Sequence, residues 1–546
     1  PISGDAGTYA ESKGSLVMER SSDKVNIGKD FIVQTTAESK LNYGTLSIAG
    51  NFEQKNTEDR KNNFVEYSNF IMKFTGETKH TITFEDAMSN SIANLESEGN
   101  LDVKGGLHLC GNYDLDGHKM SVEGDLIQAR GTLYIDGGGL DVTGDYYLVS
   151  KRWMGDDGVT EWNNSSSGIL EMVKEKDVVR VGGNFLTYST EKHRDQLTAG
   201  TLYVKGNFTQ LGSDSYTEQN FNATGNHKVI FDGKGTQKIS FAAPSYSGFA
   251  NVTFANPDIE LMTGIRGFEL NEDINLTINT ESFGVYGRTL KLNGHSVGTE
   301  KINGKEMLKF TTGRLDLGGS KVLVDGHLIQ SGGTMYIDGG ELDVTGDYYL
   351  AGNRWTGDDG NERVNESQGA LEMVKEKDIV KIGGNFLTYS KVEHTNYLTA
   401  GTMYVKGNFR QIGGLHTYYE KNFNATGKHR IVFDGEKKQQ IQFDDLNYSG
   451  FMNVTFKNPD IELESGIRGF ELNEDINLTI NTESFGIYSR SLKLNGHSVG
   501  TGKINGKETL KFTGGILDLG GSKILVDGHL IQSGGTMYID GGELDV

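Results

Sequence analysis

Along Thr334–Leu350, TMYIDGGELDVTGDYYL, apolar and polar positions alternate in two short runs. Met335 and Ile337 fall on one face of the first run, while Thr334, Tyr336 and Asp338 fall on the other; Leu342 and Val344 continue the pattern in the second. This is the two-residue side-chain period of a β-strand. A Gly-Gly turn joins the two runs, and a glycine bend follows at Gly346. Twenty residues upstream, Leu315, Leu317, Gly319, Val322, Val324 and Gly326 align with Met335, Ile337, Gly339, Leu342, Val344 and Gly346. Tyr113, Leu115, Gly117, Met120, Val122 and Gly124 stand in the same relation to Leu133, Ile135, Gly137, Leu140, Val142 and Gly144. A unit this short cannot bury its own apolar face, but stacking it on a copy does. The pattern predicts an all-β chain wound as a parallel β-helix, right-handed because parallel crossovers are.

A larger period lies over the small one. The motif beginning at Thr334 also begins at Thr132 and Thr536, each 202 residues from the next. Residues 119–320 and 321–522 are therefore two full cassettes, and 523–546 is the truncated start of a third. Residues 1–118 read as a shortened, degenerate copy. TLSIAGNFEQ at Thr45 matches TMYVKGNFRQ at Thr402, but Gly50 lies 74 residues before Gly124, whereas Gly407 lies 121 before Gly528. About 47 residues of coil are missing there. Besides the coils of about 20 residues there are longer ones, such as that of Leu371, Met373, Val380 and Ile382, which turns on the charged run KEKD.

Corners recur as an apolar residue, any residue, glycine, then Asn, Asp or His: Val142–Asp145, Val181–Asn184, Val204–Asn207, Val324–His327 and Leu494–His497. Glycine supplies the permissive backbone, and the polar side chain after it bonds locally or onto the next coil. His327, His497 and His529 are expected to serve as such corners rather than as metal ligands.

Composition sharpens this picture. Gly is high at 75 and Pro low at 4, as suits many turns around ladders that need every N–H. A hydrophobic share of 35% fits one narrow core wrapped by an exposed outer face, with no membrane insertion. The net charge of −21 opposes both a nucleic-acid backbone and an anionic lipid surface. The single cysteine, Cys110 in LHLCGN, allows no internal disulfide or thiolate cluster and reads as a small buried residue. No signal peptide opens the chain at Pro1, so it is expected to be a mature or excised segment.

Catalytic and cofactor motifs are missing: there is no HExxH, CxxC, G-x-S-x-G or dinucleotide fingerprint, and no cofactor is expected. Asp338, Glu341, Asp343 and Asp347 recur as Asp136, Asp141 and Asp145, so these carboxylates follow the scaffold's period and read as a solvated acidic face. Two paired loops, from Val149 and from Ala351, are polar and are expected to project from one edge. Trp153 with Arg152, and Trp355 with Arg354, are candidate ligand-binding residues, because tryptophan beside charged groups stacks on and hydrogen-bonds a sugar ring. Asp156, Asp157, Asp358 and Asp359 in the same loops are weak Ca²⁺ candidates.

The runs GTLYVKGNFTQ at Gly200, NATGNHKVIFDG at Asn222 and FANVTFANPDIEL at Phe249 resemble the large repetitive β-solenoid surface proteins of bacteria, similar to filamentous-haemagglutinin-like exoproteins and adhesins. The resemblance implies export, an extracellular or cell-surface location, and a role as stalk, fibre or adhesin. The expected function is thus non-enzymatic and structural, with self-association end to end or side by side into filaments and a glycan or host-surface ligand as possible partners. The alternatives are a carbohydrate-binding surface module using the Trp loops, and, further off, a β-helix polysaccharide lyase or hydrolase.

Overall fold

The computed structural model describes residues 12–64, 66–154, 161–212, 217–272, 274–295, 297–299, 307–356, 362–413, 421–474, 476–497, 499–501 and 509–546. It divides into two compact units, Pro1–Arg266 and Gly267–Val546. Each is a right-handed parallel β-helix, and together they hold about 21 turns. No helix among the described residues is long and apolar enough to cross a membrane.

The coil read from the pattern is the coil that forms. In the first unit Tyr113–Asp114, Lys119–Glu123 and Leu126–Gln128 each lie in a different parallel sheet. They pair with their neighbours twenty residues on: Tyr113 with Leu133, Met120 with Leu140, Leu126 with Tyr146. In the second unit Leu315 pairs with Met335 and Val322 with Leu342. All these side chains are buried.

The turn within the motif differs in detail from a Gly-Gly turn. Asp338 (φ 47°) and Gly339 (φ 81°) take the left-handed conformation, as do Asp136 and Gly137. Gly340 does not; its demand is space, since a Cβ there would lie 2.4 Å from the Ser320 carbonyl oxygen of the preceding coil. The charged turn is built around a buried carboxylate. Val374 and Lys375 donate their N–H groups to one Asp378 oxygen (2.7 and 2.9 Å), and Gly339 of the coil below donates to the other (2.5 Å). Asp177 does the same for Val173, Lys174 and Gly137.

The corners form ladders, as expected. In the first unit Asp145 N–H donates to Asp125 Oδ1, Asn184 N–H to Asp145 Oδ1 and Asn207 N–H to Asn184 Oδ1, at 2.6–2.8 Å. In the second, His327 heads the equivalent column, with Nδ1 accepting from Asp347 N–H at 2.9 Å. Inside, phenylalanines fill the wider coils: Phe208 packs against Phe221, Phe249 and Phe241 at 4.7–5.1 Å, and Phe409 against Phe423, Phe451 and Phe443 at 4.9–5.1 Å.

Counterparts in successive repeats do not stack on one another. In the second unit Lys321–Val324 joins the sheet of Glu341–Val344, and His327–Gln330 joins the next sheet round. Lys523–Leu525, the counterpart of Lys321–Val324, enters the sheet of His327–Gln330 instead, eight pairings further along it. The first unit shows the same shift. Lys40–Ile48 and Phe52–Gln54 lie in the sheets of Tyr113–Asp114 and Lys119–Glu123, whereas their counterparts Thr201–Val204 and Phe208–Gln210 lie one sheet further round. One repeat is therefore a whole number of turns plus one face. Every face needs only an apolar-x-apolar strand with a glycine corner, so any strand of the repeat can occupy any face. The shortened N-terminal copy keeps this phase: the strand Phe52–Gln54 reaches the strand Lys119–Glu123 in three pairings and Phe409–Gln411 reaches Lys523–Leu525 in five. The missing 47 residues are two complete turns.

Candidate functional site

The two polar loops are antiparallel hairpins, Lys151–Met154 with Glu161–Asn164 and Arg354–Thr356 with Glu362–Val364. Their backbones set Trp153 opposite Trp162 and Trp355 opposite Arg363. Asp156, Asp157, Asp358 and Asp359 lie outside the described residues, as do the side chains of Arg152, Trp153, Arg354 and Trp355. The hairpins do not spring from a purely polar edge. Val149 is fully buried with Ile127 and Tyr147, and Ala351 with Ile329 and Tyr349, where Val364 of the hairpin packs on the same cluster.

The periodic carboxylates are partnered rather than freely solvated. Asp338 pairs with Lys375, and Asp136 with Lys174. Glu341 lies 3.0 Å from Lys321 Nζ and 2.9 Å from Lys381 Nζ. Lysines of adjacent coils hold the carboxyls of Asp338 and Glu341 below their usual range even though burial pulls the other way. Among the described residues no group of three or more His, Cys, Asp or Glu side chains is placed to hold a metal ion.

One cluster departs from the scaffold's period. In the first unit an open cleft of about 560 Å³ is lined by Glu66, His108, Cys110 and Arg130, with hydroxyls from Ser91, Ser150, Ser165, Ser167 and Thr190 around them. His108 and Cys110 stand two residues apart at the end of the strand Leu107–Leu109, so both side chains leave the same outer face while Leu107 and Leu109 fill the core. Cys110 Sγ and His108 Nε2 lie 3.5 Å apart. Arg130 opens the next coil, where it pairs in register with Ser167. Glu66 is 4% exposed; its Oε2 accepts the Ala93 N–H at 2.7 Å, and Oε1 has no partner among the described residues.

Burial sets the charge state of this cleft. It pushes the Glu66 carboxyl well up, against the pull of the Ala93 N–H, and so shifts the balance toward the protonated form. Burial also pushes the Cys110 thiol up, opposed by hydrogen bonds from Ser91 and Arg130, and pushes the His108 imidazole down, with Arg130 adding to the effect. Thiol and imidazole are then both neutral at pH 7, not the thiolate and imidazolium of an activated nucleophile. Arg130, exposed at the rim, is the permanent cation among the lining residues.

The sequence reads Cys110 as a small buried residue; in the structure it is half-buried and forms part of the wall of a cleft. A signal was present. By pairing register His108 and Cys110 correspond to Lys309 and Thr311 of the following repeat, and Arg130 to Gly332, so all three depart from the copy. Glu66 gives no such sign, for it lies in the degenerate N-terminal copy. Comparison of the chain with protein-family models, with curated proteins and with solved structures finds no match.

Proposed function

We propose that the chain is a non-enzymatic structural protein, a repetitive β-solenoid segment of an extracellular bacterial fibre, stalk or adhesin. The observation that carries this reading is the way length varies. The N-terminal copy is shorter by two complete turns, yet its strands keep the phase of the full repeat. A structure whose coils touch only their neighbours tolerates such additions and losses, and a part whose task is reach or spacing is selected for them. Immunogold electron microscopy of the producing cells tests the reading. Label on fibres outside the envelope is the expected result; label confined to the cell interior overturns it.

A second reading, a carbohydrate-binding surface module, is supported by the hairpin register that sets Trp153 opposite Trp162. On this reading Trp153→Ala together with Trp355→Ala abolishes retention on a glycan array; unchanged retention removes it.

A further inference from the structure

The cleft at Glu66 combines an open space with a buried carboxyl oxygen that has no partner among the described residues. In the second unit the corresponding places are closed by the protein itself. Lys309 Nζ donates to Asn353 Oδ1 at 2.5 Å, and the Thr311 hydroxyl donates to the Phe283 carbonyl at 3.2 Å. In the first unit Glu66 Oε1 is buried with no partner among the described residues, and Glu66 lines the same open cleft as Arg130. A buried polar group left unpaired costs free energy that a bound ligand would recover.

From this geometry we propose that the cleft binds a small hydroxylated carboxylate, a sugar acid of about one or two rings. Three features of the lining fix the class. Arg130 is a planar, permanently charged fork that matches a carboxylate. Glu66 offers a buried carboxyl oxygen with no partner among the described residues at the same cleft. The hydroxyls of Ser91, Ser165, Ser167 and Thr190 both donate and accept, as a ligand with hydroxyls of its own requires. Among the described lining residues none is Phe, Tyr or Trp, and hydroxyls dominate the wall. The cleft volume falls in the range of small-molecule sites. The hairpin Lys151–Asn164 leaves the coil between two residues of this lining, Ser150 and Ser165, and the proposal stands independently of the structural reading.

The lone thiol supplies a reporter, because Cys110 is the one cysteine of the chain and sits in the cleft wall. The full chain is titrated with glucuronate, with binding followed by calorimetry and by the rate at which iodoacetamide alkylates Cys110. Saturable binding with slowed alkylation is expected, with glucose or acetate at least about tenfold weaker because each lacks half of the recognition. Arg130→Gly, which installs the residue of the second-unit counterpart, is expected to weaken glucuronate by about tenfold or more while leaving the circular dichroism spectrum unchanged. The proposal is overturned if glucuronate neither binds nor protects the thiol, if glucose or acetate does so equally well, or if a folded Arg130→Gly protein binds as tightly as the parent. Should Arg130→Gly fail to fold, Arg130→Lys replaces it, with weakened binding expected from loss of the fork and unchanged binding counting against the site.

Discussion

The coil end Leu107–Cys110 in the first unit and the coil end Leu308–Thr311 in the second hold the same place in the repeat, and they solve the same problem differently. The second closes its outer polar groups on its own chain through Lys309–Asn353 and Thr311–Phe283. The first leaves Glu66 half-paired beneath a cleft rimmed by Arg130. A repeat makes such a difference meaningful. Where the core, the corner ladders and the turn carboxylates agree between units, they report what stacking requires; where the units disagree, packing has not dictated the choice.

The strongest test of that division is acid, because it strikes features the units share. His193 and His227 in the first unit and His394 and His429 in the second are buried, and burial pushes each down to about 4. An unfolded imidazole takes its proton near pH 6.5. Between about pH 6.5 and 4 the unfolded state therefore binds more protons than the folded one, and stability falls as the pH falls through that window. At about 1.4 kcal/mol per unit of pKa difference, each histidine removes on the order of 3 kcal/mol by pH 4. Both units are expected to lose urea resistance together on acidification, followed by hydrogen exchange. Equal resistance at pH 7 and pH 4.5, or loss in one unit only, would break the parallel.

Next in size is the phenylalanine packing. Phe208→Ala and Phe409→Ala remove equivalent rings that each touch several others, and each is expected to cost about 3–5 kcal/mol. Hydrogen exchange locates the loss: fast exchange centred on the mutated unit is expected, with nearly the same magnitude in the two variants. A difference above about 1 kcal/mol between them would mean that the cores are less alike than their ring geometries.

The shared features are also those that a reader of the sequence can find. Leu315, Leu317, Val322 and Val324 announce the coil by their period, and the residue after each corner glycine announces the ladder. The phase of the repeat is hidden, because a strand such as Lys523–Leu525 carries nothing that names its face; only the number of intervening turns decides it. The carboxylates of Asp338 and Glu341 read as solvated because their lysines arrive from other coils, about 20 to 40 residues away in sequence. The cleft was half legible. His108 and Cys110 stand out against Lys309 and Thr311 once the copies are set in register, whereas Glu66 comes from a coil whose copy has drifted too far to compare.

Smaller effects belong to the places where the units differ. Glu66 has a folded pKa above its unfolded value, so the folded state holds the extra proton. Its stabilising share is full below the ordinary carboxylate pKa and is lost as the pH rises through the raised one. Glu66→Gln keeps the shape without the ionisation. It is expected to stabilise the first unit by on the order of 1 kcal/mol at pH 8 and to change nothing at pH 4. The second unit, whose own sequence is unchanged in this variant, should not respond at either pH; a uniform gain at both would show that the effect is packing and not the proton.

The smallest change is Cys110→Thr, which gives the first unit the residue its counterpart already uses and is expected to alter stability by no more than about 0.5 kcal/mol. Its value lies in what the thiol reports before it is removed. Burial raises the Cys110 pKa, while Ser91 and Arg130 pull it back. The native protein should therefore react with iodoacetamide at pH 8 more slowly than free cysteine does, because less of the thiol is ionised. Arg130→Gly takes away one of the two groups that favour the thiolate, so alkylation should slow further. Unfolding in urea should bring parent and variant to the same, faster rate. If Arg130→Gly speeds the native reaction instead, Arg130 acts on Cys110 by covering it rather than by charge, and the difference between the two units is one of access before it is one of electrostatics.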